Sequence, residues 1–276
     1  MDTLSRVLLA AAPAAGLLLA AGWLGLRVKA PPFPAAAPGA APGTQPLPPN
    51  LPEPVQRCAR ALFGGGQLPQ VRSALVQGRA RLAPVGGVPL PARFRFYYDA
   101  ASASYYHDIQ VTWFARPVMR IHERNLAGRT RLDLGPLGAV DNAPRTNRAA
   151  VQGYWAEVLA WVPAIAFSDA RLRWEALDAA TARLHLPGLD ADEALTVRFD
   201  AATGLLSAVE TLRYQAEARP ERWRWRNHVV QWDTISGQRV PALSQTQWND
   251  DAPWATWQVE QVALNAPVAD RLARFG

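Results

Sequence analysis

Residues 171–199 read RLRWEALDAATARLHLPGLDADEALTVRF, and apolar and polar side chains alternate in three separate runs of that stretch. Leu172 and Trp174 oppose Arg171, Arg173 and Glu175; Leu184 and Leu186 oppose Arg183 and His185; Leu195, Val197 and Phe199 oppose Thr196 and Arg198. A two-residue period belongs to a strand with one buried and one wet face. The segment Asp200-Ala-Ala-Thr-Gly204 that follows is a short loop whose glycine can take a positive φ, and Ser236-Gly237 and Asn249-Asp250-Asp251 punctuate the later chain in the same way. Consecutive hairpins are the economical topology.

The rhythm extends upstream. Leu75–Leu82 sets Val76, Gly78, Ala80 and Leu82 against Gln77, Arg79 and Arg81. Phe94, Phe96 and Tyr98 oppose Arg93, Arg95 and Tyr97, and Ile109, Val111 and Trp113 oppose Gln110 and Thr112. Leu132 and Leu134 oppose Arg131 and Asp133. About eleven or twelve strands result, more than the usual four to six of one flat sheet. The expectation is therefore a mainly β, α+β fold, a strongly curved antiparallel sheet or open β-barrel of about eleven strands. Ahead of the strands, Glu53–Phe63 (EPVQRCARALF) reads as a short amphipathic helix ended by Gly64-Gly65-Gly66, and a second helix, Asn147–Trp161 (NRAAVQGYWAEVLAW), ended by Pro163, interrupts them. The second is a helical insertion expected to pack one face on the sheet.

Val7–Leu26 is twenty residues without a charge, enough at 1.5 Å per residue to reach roughly 30 Å, with Arg6 before it and Arg27 and Lys29 after it. Residues 1–29 are accordingly expected to be an N-terminal transmembrane helix or signal-like anchor. Residues 30–52 are rich in proline and alanine and read as an extended linker. Residues 53–276 read as a single β-rich domain. The placement that follows is the inner, cytoplasmic membrane of a bacterial envelope, single-pass, with the soluble domain exported to the periplasm or cell exterior.

Composition removes several function classes. The formal charge is +6, with Lys29 the sole lysine and the arginines dispersed among acids, so no nucleic-acid partner is expected. Cys58 is the sole cysteine, which excludes an internal disulfide and a thiolate metal cage. His107, His122, His185 and His228 lie far apart without metal-ligand spacing, and each reads as a strand surface residue; no metal and no cofactor are expected. Neither a G-x-S-x-G elbow nor a phosphate-binding glycine loop occurs, so no catalytic residue is assigned.

Three features carry candidate chemistry. Glu157 falls between Trp155 and Trp161 on the second helix, where desolvation could raise a carboxyl pKa, although a surface carboxylate paired with arginine has the same signature. Tyr105, Tyr106, His107 and Asp108 form a polar aromatic cluster at a strand start, explained by strand-end packing. Arg222-Trp-Arg-Trp-Arg226 places three guanidinium groups on one face and Trp223 with Trp225 on the other, either an anion-facing row or a strand with one solvated basic face.

The runs GYWAEVLAWVPAIAF at residues 153–167, RWEALDAATARLHL at 173–186, RFDAATGLLSAVETLRY at 198–214, G-Q-R-V-P at 237–241 and Trp248 beyond resemble a bacterial family filed as domain of unknown function 6544, also labelled 6920. The likeness spans most of residues 52–265. The order of elements is also similar to the open-barrel lipoprotein carriers of the bacterial envelope, which implies a hydrophobic-ligand binder. The expected function is thus a membrane-tethered envelope protein holding a lipid or other apolar ligand in a curved-sheet cavity, its partners being that ligand and the membrane. Tyr154, Trp155, Glu157, Trp161, Trp174, Trp223 and Trp225 are the expected ligand-binding residues. The alternative is a non-catalytic interaction or scaffold domain of an envelope assembly, with a filled core and an exposed apolar patch. An enzyme using Glu157 stands third.

Overall fold

The computed structural model describes residues 16, 17, 19–83 and 87–273. Thr44–Pro46 (β1) and Gln67–Pro69 (β2) pair as a small ribbon around Glu53–Phe63 (α1). The amphipathic α1 buries Val55, Cys58 and Ala59 and ends where Gly64, at φ 76°, returns its N–H to the Arg60 carbonyl at 2.9 Å. Burial pushes the Cys58 thiol up to about 12, so it packs as a small apolar group.

A first meander follows: Ser73–Leu82 (β3), Leu90–Asp99 (β4), Ser104–Trp113 (β5), Arg116–Leu126 (β6), Arg129–Asp133 (β7) and Ala139–Asp141 (β8). Pro144–Trp161 (α2) and Pro163–Ser168 (α3) lead into the second. It runs Arg173–Asp178 (β9), Thr181–His185 (β10), Leu195–Phe199 (β11), Leu206–Tyr214 (β12), Arg222–Ile235 (β13), Gln238–Trp248 (β14) and Ala255–Leu264 (β15), before the short helix Ala269–Ala273 (α4).

The two meanders make one 13-stranded sheet in the order β8-β7-β6-β5-β4-β3-β15-β14-β13-β12-β11-β10-β9. Every pair is antiparallel, and the halves meet at β3 and β15. Gly78 belongs at that seam because a Cβ there would lie 2.0 Å from the Gln258 carbonyl oxygen, beside the register shift between Val259 and Gln261. The expected curved sheet or barrel of about eleven strands is corrected on this point: the sheet is open, and its edges β8 and β9 do not pair. The connection from β8 to β9 is helical, and α2 lies against β6 and β7 of one meander and β12 and β14 of the other, occupying the space across which the edges would have to close.

The expected membrane anchor is also corrected. Among the described residues no helix is long and apolar enough to cross a membrane. The membrane partner and the single-pass inner-membrane placement that depended on it are withdrawn with it. Residues 7–15 and 18 of the apolar stretch lie outside the described residues. Residues 19–27 are helical and rest on the β5–β6 hairpin, where Trp113 Nε1 donates to the Gly22 carbonyl at 3.1 Å and the Phe114 N–H to the Gly25 carbonyl at 3.1 Å.

Candidate functional site

Alternate residues of β4, β5 and β6 point toward α2. Register sets Tyr98 opposite Tyr105 and His107 opposite Glu123, so four polar side chains share one patch of the inner face. Helix α2 brings Glu157 to the same patch, because Tyr154, Trp155, Val158 and Trp161 on either side of it are all buried. His107 Nε2 lies 3.0 Å from Glu157 Oε2, an ion pair off the hydrogen-bond direction, and Nδ1 lies 3.8 Å from Glu123 Oε2. The Tyr98 hydroxyl donates to Glu157 Oε2 at 2.9 Å and the Tyr105 hydroxyl to Glu123 Oε1 at 2.6 Å. Phe96 and Tyr105 sandwich the imidazole, with ring centroids 3.9 and 4.3 Å away.

Burial alone would strip His107 of its proton, but the neighbouring carboxylates of Glu157 and Glu123 outweigh it and hold the imidazole up to about 9. It is therefore a cation at neutral pH. Burial would raise the Glu123 carboxyl, yet His107, the Tyr105 hydroxyl and Arg213 keep it below the usual carboxylate range. Burial and the neighbouring carboxylates push both tyrosines well above 10, so they act as neutral donors. Gly153 leaves room for Arg213, whose Nη2 lies 3.1 Å from where a Cβ would sit.

The histidine side chain is 6% exposed and those of Glu123 and Glu157 are 23% and 22% exposed, so water reaches only the outer edges of the carboxylates. Each carboxylate has a tyrosine hydroxyl and an imidazole nitrogen as neighbours. The tyrosine hydroxyls hydrogen-bond the carboxylates and the imidazolium lies between the two, which makes the cluster a clasp between helix and sheet.

The other end of α2 carries a second clasp. Arg148 pairs with the buried Glu193 and with Asp190, and Gln152 Nε2 donates to the Glu193 carbonyl, Thr211 Oγ1 and the Leu212 carbonyl at 3.0, 2.9 and 2.9 Å. Asp190, Asp192 and Glu193 are close enough to one another to hold a cation, but each already pairs with a guanidinium, Asp190 and Glu193 with Arg148 and Asp192 with Arg222.

Of the expected ligand-binding residues, Tyr154, Trp155, Glu157 and Trp161 come together, as core rather than as a cavity wall. Trp155 is fully buried, Tyr154 donates to the Asp99 carbonyl at 3.0 Å, and the Trp161 ring lies 6.0 Å from Phe94 and 5.8 Å from Phe96. Trp174 packs 6.2 Å from Phe167, Trp225 lies under Arg213 and Trp223 under Arg219. Trp225 is buried in the same core as Tyr154, Trp155 and Trp161, Trp174 packs against that core, and Trp223 stands apart from it. Two open surface grooves, of about 470 and 500 Å³, contain none of the seven. The expected lipid-holding cavity is corrected accordingly, since side chains of α2 and α3 fill the space it required.

Reading His107 as a strand surface residue missed the centre of the cluster. The signal was present: Tyr105 and His107 continue the inward face of Ile109 and Val111 at the same two-residue period. The row Arg222, Arg224 and Arg226 is paired with Asp192, Asp250 and Glu210 respectively, which accounts for its charge.

Fold and site together define an open antiparallel α+β domain whose central helix is pinned at both ends by buried polar groups. The chain belongs to the family of unknown function DUF6544, whose profile matches residues 42–259. It is similar in structure to a DUF1329 family protein from Desulfovibrio piger ATCC 29098, at 10% identity over 80% of this chain and 95% of that chain, with a TM-score of 0.46. No curated protein matches it.

Proposed function

We propose that the domain is a non-catalytic interaction or scaffold module that works through its outer surfaces. The filled interior carries this reading: Trp155, Tyr154, Tyr98, Tyr105, Phe94 and Phe96 are all 2% exposed or less and pack on one another where a ligand would sit. An exposed apolar cluster supports it. Trp113, Phe114 and Val118 at the β5–β6 hairpin are 40%, 42% and 60% exposed, beside an open groove of about 500 Å³ lined by Leu26, Leu90, Val111 and Met119. Contiguous apolar surface of this kind marks contact sites.

Native mass spectrometry of the full chain purified without detergent is expected to give the polypeptide mass alone. A photo-crosslinking residue at Val118 is expected to capture a discrete protein in cells. A co-purifying apolar molecule, or a Val118 probe that captures no protein, contradicts the proposal.

A further inference from the structure

Residues 30–42, APPFPAAAPGAAP, run along the outward face of β15, β3 and β4. From 32 to 42 the shielded positions are Phe33, Ala36, Gly39 and Pro42, spaced by three, and the residues between them are exposed. Three residues per turn is the period of a polyproline-type chain. Gly39 is required by contact, since a Cβ there would lie 1.9 Å from the Leu264 carbonyl oxygen.

The sheet meets this chain with side chains suited to it. Proline offers a carbonyl and no N–H, and the carbonyls are what is bound: Pro32 accepts from Arg93 Nη1 at 3.3 Å, and Pro34 accepts from Gln77 Nε2 at 3.1 Å and Arg95 Nη2 at 3.4 Å. Ala36, which has an N–H, donates it to Gln261 Oε1 at 2.8 Å, and its carbonyl accepts from Gln261 Nε2 at 2.9 Å. The Arg93 and Arg95 guanidinium carbons stand 4.4 and 4.2 Å from the Phe33 ring centroid. Gln77 joins these groups, receiving Arg95 Nε at 2.9 Å and donating to Gln261 Oε1 at 2.8 Å.

We propose that this face is a recognition surface for an extended proline-rich segment of a partner protein. Its ligand carries an aromatic residue between prolines and small residues three and six places later, and residues 30–42 occupy the face in cis. The mode is that of domains that bind preformed polyproline helices, with aromatic and cation contacts setting specificity. The inference gives the interaction-module reading its partner class and rests on that reading. A tethered occupant competes at an effective concentration near millimolar, so a free segment must displace it.

The test uses the full chain carrying Phe33→Ala and Gly39→Ala, which weaken the cis occupant and leave the face intact. Hydrogen exchange at the Ala36 amide is expected to speed up at least tenfold. A fluorescent peptide of residues 30–42 is expected to bind this variant at least tenfold tighter than the unaltered chain, and to lose that gain when its phenylalanine is alanine or when Arg93→Ala and Arg95→Ala are added. An unchanged Ala36 exchange rate, equal affinity for both chains, or equal binding of the phenylalanine-free peptide overturns the inference. A Val118 probe that captures a protein alongside such a failure leaves the interaction reading standing.

Discussion

The two ends of helix α2 are fastened to the two meanders by different chemistry. Its N-terminal half reaches the second meander through Arg148 with Glu193 and Asp190 and through Gln152 with Thr211. Its C-terminal half reaches the first through Glu157 with His107 and Tyr98, and through Tyr154 with the Asp99 carbonyl. Guanidinium keeps its proton throughout the accessible pH range. Imidazole does not, so the comparison separates a clasp whose cation survives alkaline pH from one whose cation is lost there. His107 has a folded value of about 9 against 6.5 for a free imidazole. Its contribution is fully present below pH 6.5 and is lost as pH rises through about 9. Glu123 behaves in the opposite sense, contributing above its free value of 4.5 and losing that contribution as pH falls below it.

Substitutions can break or sharpen that contrast. Trp155 is fully buried on α2 between the two clasps, and Trp155→Ala is expected to cost about 4 kcal/mol in urea unfolding, with equal loss at neutral and alkaline pH. Raising the pH from 6.5 to 9 is expected to remove on the order of 3 kcal/mol from the unaltered chain, and His107→Gln should flatten that slope in the same titration, leaving only the loss above pH 9 that the buried Cys58 thiol and the tyrosines contribute. A slope that persists between pH 6.5 and 8.5 in His107→Gln would place the titrating group elsewhere. Glu193→Ala should cost about 2 kcal/mol, less than a fully buried pair because Arg148 keeps 34% exposure and can turn to water, and the loss should not vary with pH between 6 and 10. The smallest effect is expected at the outer face, where Gln261→Ala removes the clasp on Ala36 for about 1 kcal/mol, read as a shift in the urea midpoint.

Much of this architecture is legible from residue order. The alternation of Phe94, Phe96 and Tyr98, and of Leu195, Val197 and Phe199, marks strands, and α1 spans the residues that its apolar spacing and Gly64 specify. Helix α2 begins at Pro144, three residues before its periodic face, because proline is well suited to the first turn. The three-residue strands β1, β2 and β8 are too short to show a period. Periodicity assigns faces and not edges, so it could not show that β8 and β9 stay apart or that α2 fills the space between the meanders.

The polar cluster was hidden for a related reason. His107 is buried because Glu123 on the next strand and Glu157 on a distant helix both neutralise it, and residue type alone argues for the surface. Residues 30–42 have no apolar run of their own. What holds them is supplied by Gln77, Arg93, Arg95 and Gln261, remote in the chain.

Native-state hydrogen exchange of α2 tests the central claim most directly. If the helix is a fixed part of the core, the amides of Ala150 to Trp161 open with the same free energy as those of β3 and β15 at neutral pH. If those amides exchange through a lower-energy opening while the sheet remains protected, α2 is a movable plug over a ligand space, and the domain is not the filled, non-catalytic module proposed for it.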